Sequence, residues 1–423
     1  MNLLELVAAN RLAKTGEEKK LSVSGQGQVR NTHTVYAIPL DYLYYNNQNG
    51  RINTSYKKYK AEFGNLEPEV GDSEYNNIFE KFIFDSNQQA LKDTVQSIKD
   101  KSQQEPGVVL PDGRVIDGNR RFTALRMLQR EDNIAKKFNA VILPLDAKTD
   151  EKKIKELELD LQLGREERVN YDPIDRIFDV YNTIVVEKLM TVEEYKKASG
   201  AGNTKGINRD IRLAELILKF INIVSPSEEE SVEKQIDKFY LARDLKLDGP
   251  IEEIEGTINK MNSENKEAAT DAVLVHLAAL KSDNEQKDAT RIMRDIKTHI
   301  LKDSERLDHY VKAVDSKVDT IMDAFEEYPI GSANDIKVVF SKDEDLKKSA
   351  ETLKRSAARL VSRGENDSKR MKALAKLEDV LGILEGIGRE DFDELTVDER
   401  FEAKNVIQSI RDIVFKLNKD LIE

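Results

Sequence analysis

The sequence predicts an α+β domain followed by all-helical segments. Three observations carry this. Strand and helix patterns alternate over residues 31–165, and the strand signal largely disappears from Arg165 onward. Charged residues make up 35% of the chain against 6% aromatic, with no Trp, which favours solvated helices over a β-sandwich. At 423 residues the chain exceeds one ordinary core, so two or three domains are expected.

Residues 1–30 read as an N-terminal helix and a polar linker, "SVSGQGQVRNT". "HTVYAIPLDYLYY" alternates as a strand running into a loop, and "NNQNGRINTSY" is turn chemistry. "NQQALKDTVQSIKDKS" sets Leu91, Val95 and Ile98 at helical spacing. "FNAVILPLD" is a short buried strand, and "DEKKIKELELDLQLG" a helix with Ile154, Leu157 and Leu161 on one face. Residues 31–165 thus form a compact α+β domain.

Residues 166–225 look like a helix-turn-helix segment. Asp172 caps a helix that has Pro173 in its first turn. Thr191 and Glu194 form a capping-box pattern, Gly200 ends that helix, and "INRDIRLAELILKFINIV" follows as the next. "SPSEEESVEK" reads as a linker into a helical region, 226–423. There "DIKVVFSKD" reads as a lone strand or an extended link. The last helix carries Phe401, Val406, Ile410, Ile413 and Leu417 on one stripe, read as core ahead of a partner face.

Composition excludes several chemistries. With no Cys there are no disulfides, no thiol catalysis and no Cys-based zinc site, as in a cytoplasmic protein. His33, His276, His299 and His309 show no ligand spacing. The start "MNLLELVAANRLAKTGEEKK" is not a signal peptide, and no segment is long and apolar enough for a membrane. The net charge of -12 gives no bulk attraction to nucleic acid, so DNA contact needs a local basic patch.

The informative stretch is "GVVLPDGRVIDGNRRFTALRMLQR", residues 107–130. It reads as strand, tight turn, strand, helix. Arg120 and Arg121 fall in the first helical turn, where the partial positive charge prefers anions. A bound phosphate resolves this conflict, because the free amides and both guanidiniums then face an anion. The plainer reading pairs one arginine with Asp117 or another carboxylate and leaves the other solvated.

"IDGNRRFTALRML" resembles the Gly-Glu-Arg-Arg box of the ParB/sulfiredoxin-like family, with Asn119 where the family has Glu. "IPLDYLYYNNQNGRI" resembles the family's opening strand and loop, and "ALKDTVQSIKDKSQQEPGVVL" the helix leading into the box. "LDLQLGREERVNYDPIDRIFDVYNTI" looks like its third box. "MTVEEYKKASGAGNTKGINRDIRLAEL" stands where ParB proteins place a helix-turn-helix. The resemblance covers about residues 31–220. It implies a ParB/Srx-like fold and a nucleoside triphosphate site, with CTP favoured and ATP the alternative. Asp117, Gly118, Asn119, Arg120 and Arg121 would contact the phosphates, with Gln162 and Arg165 from the third box. Glu158 and Asp160 would be the catalytic and Mg²⁺-holding carboxylates of a slow NTPase. Sulfiredoxin chemistry is excluded, since it needs a cysteine.

"SGAGNTKG" fails the phosphate-loop pattern and is the turn of the helix-turn-helix. Residues 196–219 hold Lys196, Lys197, Lys205, Arg209, Arg212 and Lys219 against Asp210 and Glu215, a net +4. All of these basic residues but Lys219 are taken as DNA contacts. The reading is a ParB-like, nucleotide-dependent DNA-associated protein whose C-terminal helices dimerise or recruit a protein partner. A ParB-like metal-dependent nuclease and a non-catalytic adaptor in mobile-element or phage-defence systems are the alternatives.

Overall fold

The computed structural model describes residues 2–21, 31–50, 52–67, 71–163, 172–226, 232–283 and 288–422. It begins with helix α1 (Leu3–Ala8), strand β1 (Ala13–Leu21), strand β2 (Asn31–Pro39) and the short strand β3 (Tyr44–Tyr45). Three helices follow: α2 (Asn53–Phe63), α3 (Ser73–Ser86) and α4 (Gln88–Lys101). Then come β4 (Gly107–Val109), β5 (Arg114–Asp117), α5 (Asn119–Asp132), β6 (Lys137–Ile142) and α6 (Glu151–Leu163).

These strands make one mixed sheet in the order β1-β2-β6-β4-β5-β3. β1/β2, β2/β6 and β4/β5 are antiparallel, while β4/β6 and β3/β5 are parallel. Successive strand residues point to opposite faces, and both faces are filled. Val109, Val115, Ala140 and Ile142 join Phe79 of α3 and Phe122 of α5 on one side. Val108, Ile116 and Val141 join Ile154, Leu157 and Leu161 of α6 on the other. An α+β layer is therefore what the pattern over 31–165 encodes.

Two strand readings need correction. Ala13–Leu21 lies inside the expected helix-and-linker segment yet forms β1, pairing Leu21 with Asn31 and Lys19 with His33. Its charged residues sit on the sheet edge, where lysines blunt unwanted pairing. The rest of that expected linker, residues 22–30, lies outside the described residues.

Helices dominate from residue 173. They are α7 (Pro173–Tyr181), α8 (Val192–Ser199), α9 (Lys205–Val224), α10 (Val232–Asp237), α11 (Tyr240–Asp244) and α12 (Asp248–Ile258). α13 (Ser263–Lys281), α14 (Ala289–Ile296), α15 (Ser304–Glu327), α16 (Asp335–Lys342), α17 (Glu344–Glu385) and α18 (Val397–Ile422) complete the chain. α16 corrects the other strand reading. Ile336, Val339 and Phe340 are buried at helical spacing, so packing overrides the β-rich local composition.

The chain divides into two compact units, Met1–Ala358 and Arg359–Glu423. In the first, the expected segment 31–165 shares ion pairs with both helical segments. Lys152 of α6 holds Glu194 of α8 at 2.6 Å, Lys58 of α2 holds Asp244 of α11 at 2.6 Å, and Arg243 donates to Thr54 and Ser55 of α2 at 3.2 and 3.1 Å. In the second, the stripe expected as core is solvent-facing: Phe401 is 65% exposed and Ile413 59%. No helix among the described residues is long and apolar enough to cross a membrane.

Candidate phosphate-binding turn and adjoining cleft

The site starts at the β4–β5 turn. Pro111, Asp112 and Gly113 close it, with Gly113 N–H donating to Leu110 C=O at 3.0 Å and Arg114 N–H to Asp112 Oδ1 at 3.0 Å. Gly113 has φ +96, and a Cβ there would lie 2.2 Å from the Tyr42 carbonyl oxygen, so only glycine fits. β5 then delivers Asp117 and Gly118. Gly118 is left-handed (φ 95) and is the N-cap of α5, where no side chain caps the helix. Phe122 N–H donates to Gly118 C=O at 2.9 Å, which leaves the amides of Asn119, Arg120 and Arg121 as the ones without an intrahelical acceptor.

The two arginines occupy this first turn, both half-buried. Arg121 pairs with Asp117 at 3.4 Å, and Lys19 of β1 reaches the same carboxylate at 3.3 Å. Asp117 thus carries two cations, the plainer of the two sequence readings, while Arg120 lies beside it on the same turn. Asn119 is buried, and its Oδ1 and the Arg121 Nε are buried without a hydrogen-bond partner among the described residues. The turn therefore combines an uncapped helix start with two guanidiniums, an arrangement suited to an anion.

Glu158 stands elsewhere, on a cleft of about 450 Å³. Asn47, Gln48, Asn53 and Tyr56 line one side of it; Lys155 and Glu158 of α6 and Phe178 of α7 line the other. Glu158 is 3% exposed and accepts from Asn46 Nδ2. Burial pushes its carboxyl up to about 7, with Asp179 adding to the rise and Lys155 opposing it. Lys155 pairs with Asp179, which also accepts from Tyr195 Oη at 3.1 Å. Burial lowers the Lys155 ammonium, but Asp179 and Glu158 outweigh it and hold the group above its ordinary value.

Two buried hydrogen bonds run from the turn back to Tyr45, the residue before the one that holds Glu158. The Tyr45 and Thr123 hydroxyls lie 2.7 Å apart, and Thr123 Oγ1 donates to the Asn119 C=O at 2.9 Å. Asn46, which holds Glu158, is the next residue after Tyr45.

The structure thus brings Asp117, Gly118, Asn119, Arg120 and Arg121 together. It separates Glu158 from Asp160: two residues apart on a helix, they face different ways, and Asp160 does not line the cleft. Among the described residues no three His, Asp or Glu side chains gather as a metal site. The side chain of Gln162 and all of Arg165 lie outside the described residues.

Sequence reading missed the charges buried beside the cleft. Asp175 accepts from Thr54 Oγ1 and lies 3.6 Å from Arg243 Nη1. Burial raises its carboxyl to about 7, against the pull of Thr54 and Arg243. Lys155, Asp175 and Asp179 interrupt the apolar faces of α6 and α7, and a charge at an apolar-stripe position was the available signal.

The expected basic face is rearranged. The α8–turn–α9 outline holds, and Thr191 and Glu194 make the full capping box before α8 ends at left-handed Gly200. α9, however, is a core helix, with Leu213, Ala214, Ile217, Phe220 and Ile221 buried. Arg209 meets Glu252 at 2.6 Å and Arg212 pairs with Glu255, both on α12, so these two charges serve an internal helix contact. Lys196 pairs with Glu193 at 3.3 Å. Lys197 and Lys205 are exposed around the turn.

No family model matches the chain, and no curated protein matches it. A solved Pnob8-like ParB-N domain aligns over 68% of this chain and 97% of that one, at 12% identity and a TM-score of 0.31. The superposition is loose, and the readings below stand on the chain's own geometry.

Proposed function

We propose that the chain binds a nucleoside triphosphate, CTP ahead of ATP, at the start of α5 and relays that binding to the helical segment beside it, which contacts DNA. One observation carries this reading. Helix α5 begins at a left-handed glycine with no side-chain cap and two arginines in its first turn. A phosphate there accepts from the first-turn amides and draws Arg120 and Arg121 onto itself, with Asp117 releasing part of its cation contact. The relay runs from Asn119 through Thr123 to Tyr45 and its neighbour Asn46, which holds Glu158, and passes from α6 to α7 and α8 through the Lys155–Asp179 and Lys152–Glu194 pairs. DNA contact rests on Lys197 and Lys205 rather than on the paired Arg209 and Arg212. A metal-dependent nuclease has less support, since it needs a carboxylate cluster beside the same turn.

The test is thermal stability and direct binding with CTP, ATP, GTP and UTP plus Mg²⁺, beside the Arg120→Ala/Arg121→Ala double variant. A ligand at a hundredfold its Kd stabilises the native state by about 2.7 kcal/mol. That shift should appear with one triphosphate and vanish in the double variant. No shift with any of the four would sink the proposal and leave the turn as a structural Asp117–Arg121 contact, as in an adaptor.

A further inference from the structure

Another polar cavity, of about 500 Å³, lies in the helical part of the first unit, outside the stretch that resembles the ParB/sulfiredoxin-like family. It forms where the ends of α11 and α13 meet the starts of α14 and α16, and its size is that of a small-molecule site. Lys246, Lys281 and Lys337 line it, together with Asp244, Asp283 and Asp288. The aspartates are engaged elsewhere. Lys58 holds Asp244 at 2.6 Å, Lys354 holds Asp283 at 2.7 Å, and Asp288 caps α14 by accepting from the Arg291 amide at 3.1 Å. Among the described residues, Lys246, Lys281 and Lys337 form no ion pair with a carboxylate. The cavity's lysines are therefore not the partners of its aspartates.

Lys281 shows what the arrangement lacks. It is half-buried at the end of α13 and donates to the Lys246 C=O at 3.1 Å, which uses one of its three ammonium hydrogens. Burial lowers the group to about 8, with Lys246 adding to the fall and Asp248 and Asp288 opposing it. A cation held away from water without a paired carboxylate is unbalanced, and an anion in the cavity balances it. Three ammoniums on one cavity suit a ligand with two or more negative charges, and lysine binds phosphate as a point charge. Leu245, Leu280 and Ala289 supply apolar wall for the body of such a ligand, and Thr290 and Asn334 supply a hydroxyl and an amide. The aspartates count against nucleic acid here, because a phosphate backbone laid over the opening meets their charge, whereas a small ligand sits among the lysines. We propose that this cavity binds a small organic phosphate through Lys246, Lys281 and Lys337, at a site separate from the α5 turn.

The probe is inorganic pyrophosphate, added to the full-length chain carrying Arg120→Ala/Arg121→Ala so that the α5 turn does not contribute. Titration calorimetry at constant ionic strength should show binding. Lys281→Gln and, separately, Lys337→Gln should each weaken it about tenfold or more, the usual loss of a hydrogen bond to a charged group, and Lys281→Arg should weaken it less. Lys337 is exposed and gives up no ion pair, so Lys337→Gln should melt at the unsubstituted temperature and keeps the test valid if Lys281→Gln folds poorly. The amine itself gives a second readout. In trace acetylation followed by peptide mass spectrometry, pyrophosphate should shield Lys281 several-fold and leave Lys92 of α4, which lines no part of the cavity, unchanged. No pyrophosphate binding, or binding indifferent to both glutamine variants, overturns the proposal. Equal shielding of Lys281 and Lys92 does the same, since it is an effect of ionic strength alone. Citrate that displaces pyrophosphate at equal concentration overturns the phosphate assignment. A DNA duplex that shields Lys281 where pyrophosphate does not overturns the assignment to a small ligand.

Discussion

Helices α5 and α8 begin in opposite ways. At α8, Thr191 accepts from the Glu194 amide and the Glu194 carboxylate accepts from the Thr191 amide, so the helix closes its own end. At α5, Gly118 offers no side chain and the first turn carries Arg120 and Arg121 against the helix dipole. The first start is complete within the chain. The second has no side-chain cap, and in the proposed function an added anion completes it.

The same division separates two glutamates. Glu194 is solvent-facing and held ionised by its hydrogen bonds, which pull its carboxyl down to about 2. Glu158 is enclosed and pushed up to about 7. A carboxyl whose folded pKa lies above its unfolded value of 4.5 binds its proton more tightly in the native state. Its favourable contribution is full below pH 4.5 and is lost as pH rises through 7. Relative to Glu158→Gln, which has no proton to lose, the wild type should lose on the order of 3 kcal/mol between pH 4.5 and 8. Urea unfolding of both proteins at the two pH values checks this. A difference between them that ignores pH would mean that Lys155 keeps Glu158 ionised throughout, and the contrast with Glu194 would collapse.

Breaking the α5 start itself is the next largest effect. Gly118 and Gly200 are both left-handed, yet a Cβ at Gly118 would lie 2.9 Å from Phe138 Cζ and 3.0 Å from Arg121 Nη2, whereas Gly200 has open space. Gly118→Ala should cost about 2 kcal/mol and Gly200→Ala about 1 kcal/mol, as the conformational term alone. Denaturant midpoints measure both. Equal costs would show that the Phe138 ring and Arg121 yield freely, and that the α5 turn is softer than its geometry implies.

How much of this was legible follows the range of the interactions. The Thr191–Glu194 box, the Asp172 cap and the Asp117–Arg121 turn are local patterns, and each stands where the residues place it. β1 was unreadable because Ala13–Leu21 buries few side chains on a charged sheet edge and so lacks the alternation that marks a strand. α16 was misread because Val338, Val339 and Phe340 favour strands, while the burial of Val339 and Phe340 is decided by the helices they meet. The cleft was the least visible part. Glu158 was singled out, but its partner Asn46 lies 112 residues away, and nothing local announces that pair. Arg209 and Arg212 show the same limit: their spacing puts them on one face, but only the fold supplies Glu252 and Glu255 to meet them.

The smallest effects belong to α8 and sharpen the contrast from its other side. Thr191→Ala removes the hydroxyl that accepts from the Glu194 amide and should cost about 1 kcal/mol, the usual loss for an N-cap. Nucleotide-induced stabilisation should be unaffected, because the box closes its helix without outside help. The pH dependence has the opposite sign to that of Glu158. Glu194 has a folded pKa below its ordinary value, so its contribution is present above about pH 4.5 and lost as pH falls towards 2. Glu194→Gln keeps an acceptor for the Thr191 amide but no titrating charge and no ion pair with Lys152, which sits 2.6 Å away in the wild type. Melts between pH 5 and 2.5 should therefore fall more steeply for the wild type than for Glu194→Gln. Parallel slopes would mean that the carboxylate is not held by the box, and that α8 too has an end left open.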